Sequence, residues 1–315
     1  LEELQKINSG GFAAAMWAHE YLAMTHLNKE GNQQQKEKYL VPSVEGDKIG
    51  CLCITEPFGG SDVAGMRSTA VKQGDKYILN GSKTFITNGV YSDYLIVAAK
   101  TDPSDKYKGI SIFVVDRDSK GVSATKLDKL GWRASDTGEI AFDNVEIPAE
   151  NLMGEEGMGF PYIMQHFALE RLIMGVNAHA RAEFAVDYAV QYMHERIAFG
   201  KSLDKFQALR HKVAEMASKV DMCREYNYSI TKRLDMGTYV VKEASMSKLL
   251  STKIADEVIY DALQLLGGYG YMEEYPMARL LRDSRLGPIG GGTSEILKEI
   301  IAKMVIDKKE YKPAT

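Results

Sequence analysis

Hydrophobic spacing divides the chain into segments of different period. From residue 1 to about 40, Phe12, Met16 and His19, followed by a second run of Tyr21, Met24 and Leu27, recur at three- and four-residue steps, which predicts helix. From about 50 to 148 the chain turns to β-branched and aromatic residues punctuated by Gly, Asn and Asp. Tyr94-Leu95-Ile96-Val97 and Ile110-Ser111-Ile112-Phe113-Val114-Val115 read as strands, and Asn80-Gly81 between two strand-like runs predicts a hairpin turn. From about 156 the period is helical again. Phe206, Leu209, Val213, Met216, Val220, Cys223, Asn227, Ile230 and Leu234 make one long seam; Met246, Leu250, Ile254, Val258, Ala262 and Leu265 make a second. With a helix around Glu170 and a last one from Glu295 to Ile306, these predict an antiparallel bundle.

The expected architecture is therefore α+β: an N-terminal helical domain over 1–48, a β domain over 49–155 that is β-barrel-like or built of two packed sheets, and a four-helix bundle over 156–315. The chain starts at Leu1-Glu2-Glu3-Leu4, inside a helical pattern and without an initiator methionine, so the first domain is expected to be truncated. A net charge of −4, with acids and bases spread along the chain, offers no basic stripe for nucleic acid. No apolar run approaches the ~20 residues that span a bilayer. Cys51, Cys53 and Cys223 are too few and too oddly spaced for a disulfide framework, and no metal-ligand set is read; His19 reads as a packed histidine.

Several polar motifs punctuate these elements. Ile54-Thr55-Glu56-Pro57-Phe58-Gly59-Gly60-Ser61 is a strand entering a glycine loop where backbone N–H groups can approach a ligand. Lys83-Thr84-Phe85-Ile86-Thr87-Asn88-Gly89 pairs an aromatic that can lie on a flat ring with a hydroxyl that can bond its edge. Arg196-Ile197-Ala198-Phe199-Gly200 closes a helix with a cation suited to phosphate, followed by Gln207 on the next. Gln264-Leu265-Leu266-Gly267-Gly268 and Gly290-Gly291-Gly292-Thr293-Ser294-Glu295 place polar groups at helix termini. Glu170-Arg171, on spacing alone, is a solvated pair worth about 0–1 kcal/mol.

In this order and spacing the motifs resemble the acyl-CoA dehydrogenase family of flavoproteins over essentially the whole chain, closest in pattern to the isovaleryl-CoA and long-chain acyl-CoA dehydrogenase group. The resemblance implies FAD held by Leu52, Cys53, Ile54, Thr55, Gly60 and Ser61, with Phe85, Ile86 and Thr87 beside its ring system. Many members carry tryptophan where this chain has Phe85. It implies that Arg196, Phe199 and Gln207 reach FAD across a subunit interface, with Gln264, Gly267, Gly268, Thr293 and Glu295 as further FAD positions. Ser61, Tyr107, Lys108, Ala168, Leu169, Arg171, Gly291 and Gly292 fall at substrate positions.

Many members place the catalytic glutamate where this chain has Gly291, and glycine takes no proton. The isovaleryl-CoA and long-chain group carries the base on the helix after the β domain, one residue before an arginine, and Glu170-Arg171 matches that pattern. The resemblance thus implies α-proton abstraction by Glu170, β-hydride transfer to flavin, a trans-2-enoyl-CoA product and electron transfer to electron-transfer flavoprotein. It also implies a homotetramer, a dimer of dimers. The sparse cysteines fit a bacterial cytoplasm or a mitochondrial matrix equally. Arg171 either joins a buried network in the bundle or positions substrate. The alternative reading is a non-catalytic homologue acting in binding or assembly.

Overall fold

The computed structural model describes residues 1–311; residues 312–315, the end of the expected bundle domain, lie outside the described part. The chain divides into two compact units.

One unit comprises residues 14–129 and 135–167. Its centre is an eight-stranded sheet of β1 (Gly50–Cys53), β2 (Thr69–Gln73), β3 (Lys76–Thr87), β4 (Tyr94–Lys100), β5 (Ile110–Asp116), β6 (Val122–Lys126), β7 (Thr137–Pro148) and β8 (Leu152–Met153). The order is β6-β7-β3-β2-β4-β5-β8, with β1 also paired to β4 in parallel. β4 and β5 are almost wholly buried because alternate residues feed two cores. Leu95, Val97, Ala99, Phe113 and Val115 join Cys51, Cys53, Leu79 and Ile140 on one face. Tyr94, Ile96, Ala98, Ile112 and Val114 pack on the other against Ala23, Leu27, Tyr39 and Ile163 from the flanking helices. The expected helical start is a series of short pieces, Gly10–Trp17, Ala18–Ala23, Met24–Glu30, Lys36–Leu40 and Val41–Glu45. The 18–23 and 36–40 pieces are wound in the wider π form.

Asn80-Gly81 is not a hairpin. β3 runs through it unbroken, paired to β2 and β7, and the register slips between Leu79 and Gly81. A Cβ at Gly81 (φ +140°) would collide with Ser68 of the segment entering β2, so this glycine serves a bulge and a close approach. The β2–β3 reversal instead lies at Gly74, φ +65°, where the chain has Gly-Asp in place of Asn-Gly.

The other unit comprises residues 1–13, 130–134 and the described residues from Ala168 onward. Its helices are the rest of Gly159–Glu195, then Gln207–Asp235, Val241–Leu266, Pro276–Ser284 and Ser294–Val305. Ala178, Ala182, Ala185 and Ala189 line one helix and pack with Met216, Val220, Ala255, Ile259 and Leu280. The first seam holds, with Met216, Val220, Cys223, Asn227 and Ile230 buried. The second holds in its later half, with Val258, Ala262 and Leu265 buried and Ile254 packed against the core, but Leu250 is exposed and Ser247, Lys248, Ser251, Ala255 and Ile259 also face inward. Small polar side chains can occupy that face because they are hydrogen-bonded. Asn227 donates to Ser251 Oγ, and its Oδ1 accepts from Ser247.

Asp283 ties distant segments of this unit together. Its buried carboxylate accepts from the backbone N–H of Gly10 at 3.0 Å and of Trp132 at 2.6 Å. Asp283→Ala strands both donors and is expected to lower unfolding free energy by about 2–4 kcal/mol, read from urea denaturation.

Candidate active site

Glu170 and Arg171, expected as a solvated pair, are 9 % and 6 % exposed. Consecutive helical residues point about 100° apart, so the two side chains have different surroundings. The Arg171 guanidinium reaches the Ser245 hydroxyl of the Val241–Leu266 helix, with an Nη1–Oγ distance of 3.5 Å. The Glu170 carboxylate stands over the glycine turn that precedes the Ser294–Val305 helix. A Cβ added to Gly291 would lie 3.1 Å from Glu170 Oε1 and 2.5 Å from Met174 Sδ, and its φ of +59° is left-handed. The carboxylate therefore reaches the volume that a side chain at 291 would enter. Ala168 is buried and Leu169 partly so on the same helix.

Burial pushes the Glu170 pKa above its ordinary value, against the opposing charges of Arg171 and Lys248. Lys248 was not foreseen as a site residue. Fully buried, it donates to the Gly292 carbonyl and so fixes the glycine turn to the Val241–Leu266 helix. Burial brings its pKa down to about 8, with Glu170 opposing the fall and Arg171 adding to it. Its sequence signal is a lysine on the helix face that also carries Ser245, Ser251 and Thr252, legible only once that face is known to be buried. Lys248→Met removes a charge-assisted hydrogen bond and is expected to cost about 1.5–3 kcal/mol. It also raises the Glu170 pKa further, so the acid limb of a pH–rate profile moves up. Because the folded-state Lys248 pKa is depressed, wild-type stability rises between about pH 8 and 10.5, and the variant lacks that rise.

Thr293 caps the last helix, its hydroxyl accepting from Ile296 N at 3.3 Å, and Glu295 is exposed in the first turn. Elsewhere in this unit a cavity of about 720 Å³ is lined by Arg196, Gln264, Gly267 and Gly268, with Tyr192 and Tyr269 among its walls. The guanidinium of Arg196 lies over the Tyr269 ring, 5.7 Å from its centroid. Cation, amide and glycines far apart in sequence thus meet at one place. Phe199 and Gln207 lie outside that lining. Phe199 is 96 % exposed at the tip of the Ile197–Ala198/Lys201–Ser202 hairpin, and Gln207 is an exposed helix start.

In the β unit, Thr55, Gly60 and Phe85 gather. Thr84 N donates to the Thr55 carbonyl at 2.9 Å, and a Cβ on Gly60 would rest 3.4 Å from Thr55 Cγ2. Phe85 has φ +60° and is 70 % exposed, a costly combination for a large aromatic that marks functional positions more often than packing ones. The strain sits where β3 slips register against β7 between Lys83 and Ile86. Thr87 follows, half-buried, while Ile86, Cys53 and Ile54 turn into the cores and Leu52 packs against one of them. Ser61 is exposed, and Tyr107 and Lys108 lie in a loop that approaches it. Lys106 Nζ is 3.7 Å from Asp62 Oδ1, and Tyr107 meets Phe160 edge-on at 5.3 Å.

Beneath the glycine loop, Lys83 Nζ donates to Glu56 Oε1 at 2.8 Å and to the Ile54 carbonyl at 3.1 Å. Glu56 also accepts from Arg67 N at 2.6 Å and Ser68 N at 2.9 Å. This buried pair holds the loop entry to β3.

Comparison with known proteins shows the family. The chain matches the acyl-CoA dehydrogenase N-terminal domain over residues 1–47, the middle domain over 51–145 and the C-terminal domain over 157–306. The chain belongs to the acyl-CoA dehydrogenase family. It is thus an oxidoreductase with that family's three-domain fold. It is 39% identical over 306 residues to the mitochondrial isovaleryl-CoA dehydrogenase of Pongo abelii, covering 96% of this chain and 72% of the relative. It is 40% identical over 296 residues to the mitochondrial long-chain specific acyl-CoA dehydrogenase of Mus musculus, covering 91% and 68%. A crystal structure of a probable acyl-CoA dehydrogenase from Mycobacterium abscessus superposes with a TM-score of 0.94 at 43% identity, covering 96% of this chain and 81% of that one. Relatives are thus mitochondrial and bacterial. No helix among the described residues is long and apolar enough to cross a membrane.

Proposed function

We propose that this chain is an FAD-dependent acyl-CoA dehydrogenase in which Glu170 removes the α-proton of an acyl-CoA thioester to give a trans-2-enoyl-CoA. The observation that carries the reading is the buried Glu170 carboxylate, whose Oε1 reaches the volume a side chain at Gly291 would enter. Two backbone origins can thus deliver a carboxylate to one place, and only Glu170 has one to deliver.

The residues present fit FAD. Phe85 offers an exposed, strained aromatic face next to Thr55 and Gly60, where a flat ring can approach. The Arg196, Gln264, Gly267 and Gly268 cavity offers a cation, an amide and open backbone to a dinucleotide. FAD, when bound, supplies the acceptor for the β-hydride. Glu170 takes the proton, and its elevated pKa brings its basicity nearer the thioester's needs while burial excludes competing water. The Gly291 N–H, a donor independent of side chain, stabilises negative charge developing on the thioester carbonyl. Lys248, through the Gly292 carbonyl, holds that donor in place.

Ser61, Tyr107 and Lys108 are the proposed contacts of the CoA portion, with Ala168, Leu169 and Gly292 near the acyl end. Arg171 is assigned the bundle role, on its approach to Ser245. The proposal extends to electron-transfer flavoprotein as acceptor, a homotetramer with Arg196, Phe199 and Gln207 at a subunit contact, and a bacterial cytoplasm or mitochondrial matrix. Purified protein is expected to be yellow and to bleach under anaerobic acyl-CoA. A panel from short branched to long chains then ranks the substrates. A flavoprotein that no acyl-CoA bleaches would overturn the proposal.

A further inference from the structure

In the β unit, His26, Glu30 and His166, to which the proposed reaction gives no role, bring two imidazoles and a carboxylate together, with one ligand atom from each lying within 4.8 Å of the others; His166 precedes Glu170 by one turn of the same helix. We propose that these three side chains bind a divalent cation of the zinc class.

The geometry suits such an ion. Donors around tetrahedral zinc at ~2.0–2.1 Å stand roughly 3.3 Å apart. Here His26 Nδ1 is 3.3 Å from Glu30 Oε2, and His166 Nε2 is 2.9 Å from Oε1 and 3.1 Å from Oε2. The two imidazole nitrogens, which lie within 4.8 Å of each other, must come to the same spacing for one ion to bridge all three donors. Two imidazole nitrogens and one carboxylate oxygen form a donor set that zinc accepts with a fourth position left for water.

A cation suits the electrostatics. The Glu30 side chain is 6 % exposed and the His26 side chain 1 %. A carboxylate so buried requires a positive partner. His26 is buried beside it, one turn away on the same helix. Its Nδ1 is buried and makes no hydrogen bond, although Oε2 is near. An ion between them would satisfy both atoms at once. His166, whose side chain is 10 % exposed, provides the route in from water.

The scaffold is rigid. His26 and Glu30 are one turn apart on the Met24–Glu30 helix, which Leu27 anchors in the core and whose last carbonyl accepts from Gly154 N at 2.9 Å. His166 comes from the Gly159–Glu195 helix, with its ring 4.4 Å from that of His26 and edge-on to it. A bound ion would cross-link these two helices within the unit, a role separate from thioester chemistry.

The test uses the full-length flavoprotein, stripped with a chelator and re-equilibrated with zinc(II), then with cobalt(II). Metal content by mass spectrometry and competition against a chromophoric chelator give stoichiometry and affinity. One ion per chain is expected, with zinc raising the melting temperature. Glu30→Gln, which keeps the side-chain shape, and His166→Gln, at the rim, are each expected to weaken binding at least 10-fold and abolish the thermal shift while retaining flavin. No zinc uptake by the wild type, or undiminished uptake by either folded variant, would overturn the proposal.

Discussion

Glu170→Gln is expected to fold, retain its flavin and lose turnover by about 10²–10⁴-fold, the usual contribution of a general base. The substitution keeps the shape of a side chain that is 9 % exposed and removes its capacity to take a proton. Stopped-flow bleaching under anaerobic acyl-CoA reads the chemical step directly, and binding of an unreactive thioester checks that the pocket persists. The acid limb of the wild-type profile is expected above the range of an ordinary glutamate, because burial raises the folded-state pKa. The sign for stability is opposite. The folded chain holds the Glu170 proton more tightly than the unfolded one, so this group's contribution falls as pH rises through the elevated value. Glu170→Gln is therefore expected to equal or exceed wild-type stability at neutral pH while being inactive.

Gly291→Glu does not mimic the common family arrangement. Its Cβ would sit 2.5 Å from Met174 Sδ on a left-handed backbone, beside a carboxylate already in place. This variant is expected to be less active than wild type, and in the Glu170→Gln background to recover only part of the rate.

The second large effect concerns stability in the β unit. Glu56→Gln leaves Lys83, which is fully buried, without its counter-charge, and is expected to cost about 3–5 kcal/mol in denaturant unfolding. Lys83 would retain the Ile54 carbonyl and a neutral amide oxygen in place of the carboxylate. The lesion also frees the Arg67 and Ser68 N–H groups from an ionised acceptor, loosening the entry to the glycine loop, so flavin affinity is expected to fall with stability. Burial alone would raise the Glu56 pKa, yet the Lys83 charge and these hydrogen bonds bring it below its ordinary value. The stability it contributes is thus present above the ordinary value of 4.5 and lost as pH falls through the depressed folded value, a loss that Glu56→Gln lacks.

What could be read from the sequence followed locality. The helical and β segments were legible because each carries its own period, and the first bundle seam lies where its spacing placed it. Asn80-Gly81 misled because a dipeptide that suits a hairpin also suits a bulge, and only Ser68 across the sheet decides between them. The second seam was legible at Val258, Ala262 and Leu265 but not at Ser247, Lys248 and Ser251, which face inward because Asn227 on a neighbouring helix and the glycine turn satisfy them. Spacing could not reveal the burial of Glu170, which depends on a turn some 120 residues later; the glycine at 291 pointed to it only through the family pattern. The His26–Glu30 step was visible, but its third member lies 136 residues beyond Glu30.

The central claim, that Glu170 is the base, is tested most directly by hydrogen exchange at the α-carbon. An acyl-CoA thioester with no transferable β-hydrogen, incubated with the flavoprotein in D₂O, isolates proton abstraction from oxidation. Wild type is expected to wash deuterium into that carbon, and flavin-loaded Glu170→Gln to do so about 10²–10⁴-fold more slowly. Exchange by Glu170→Gln at the wild-type rate would contradict the assignment.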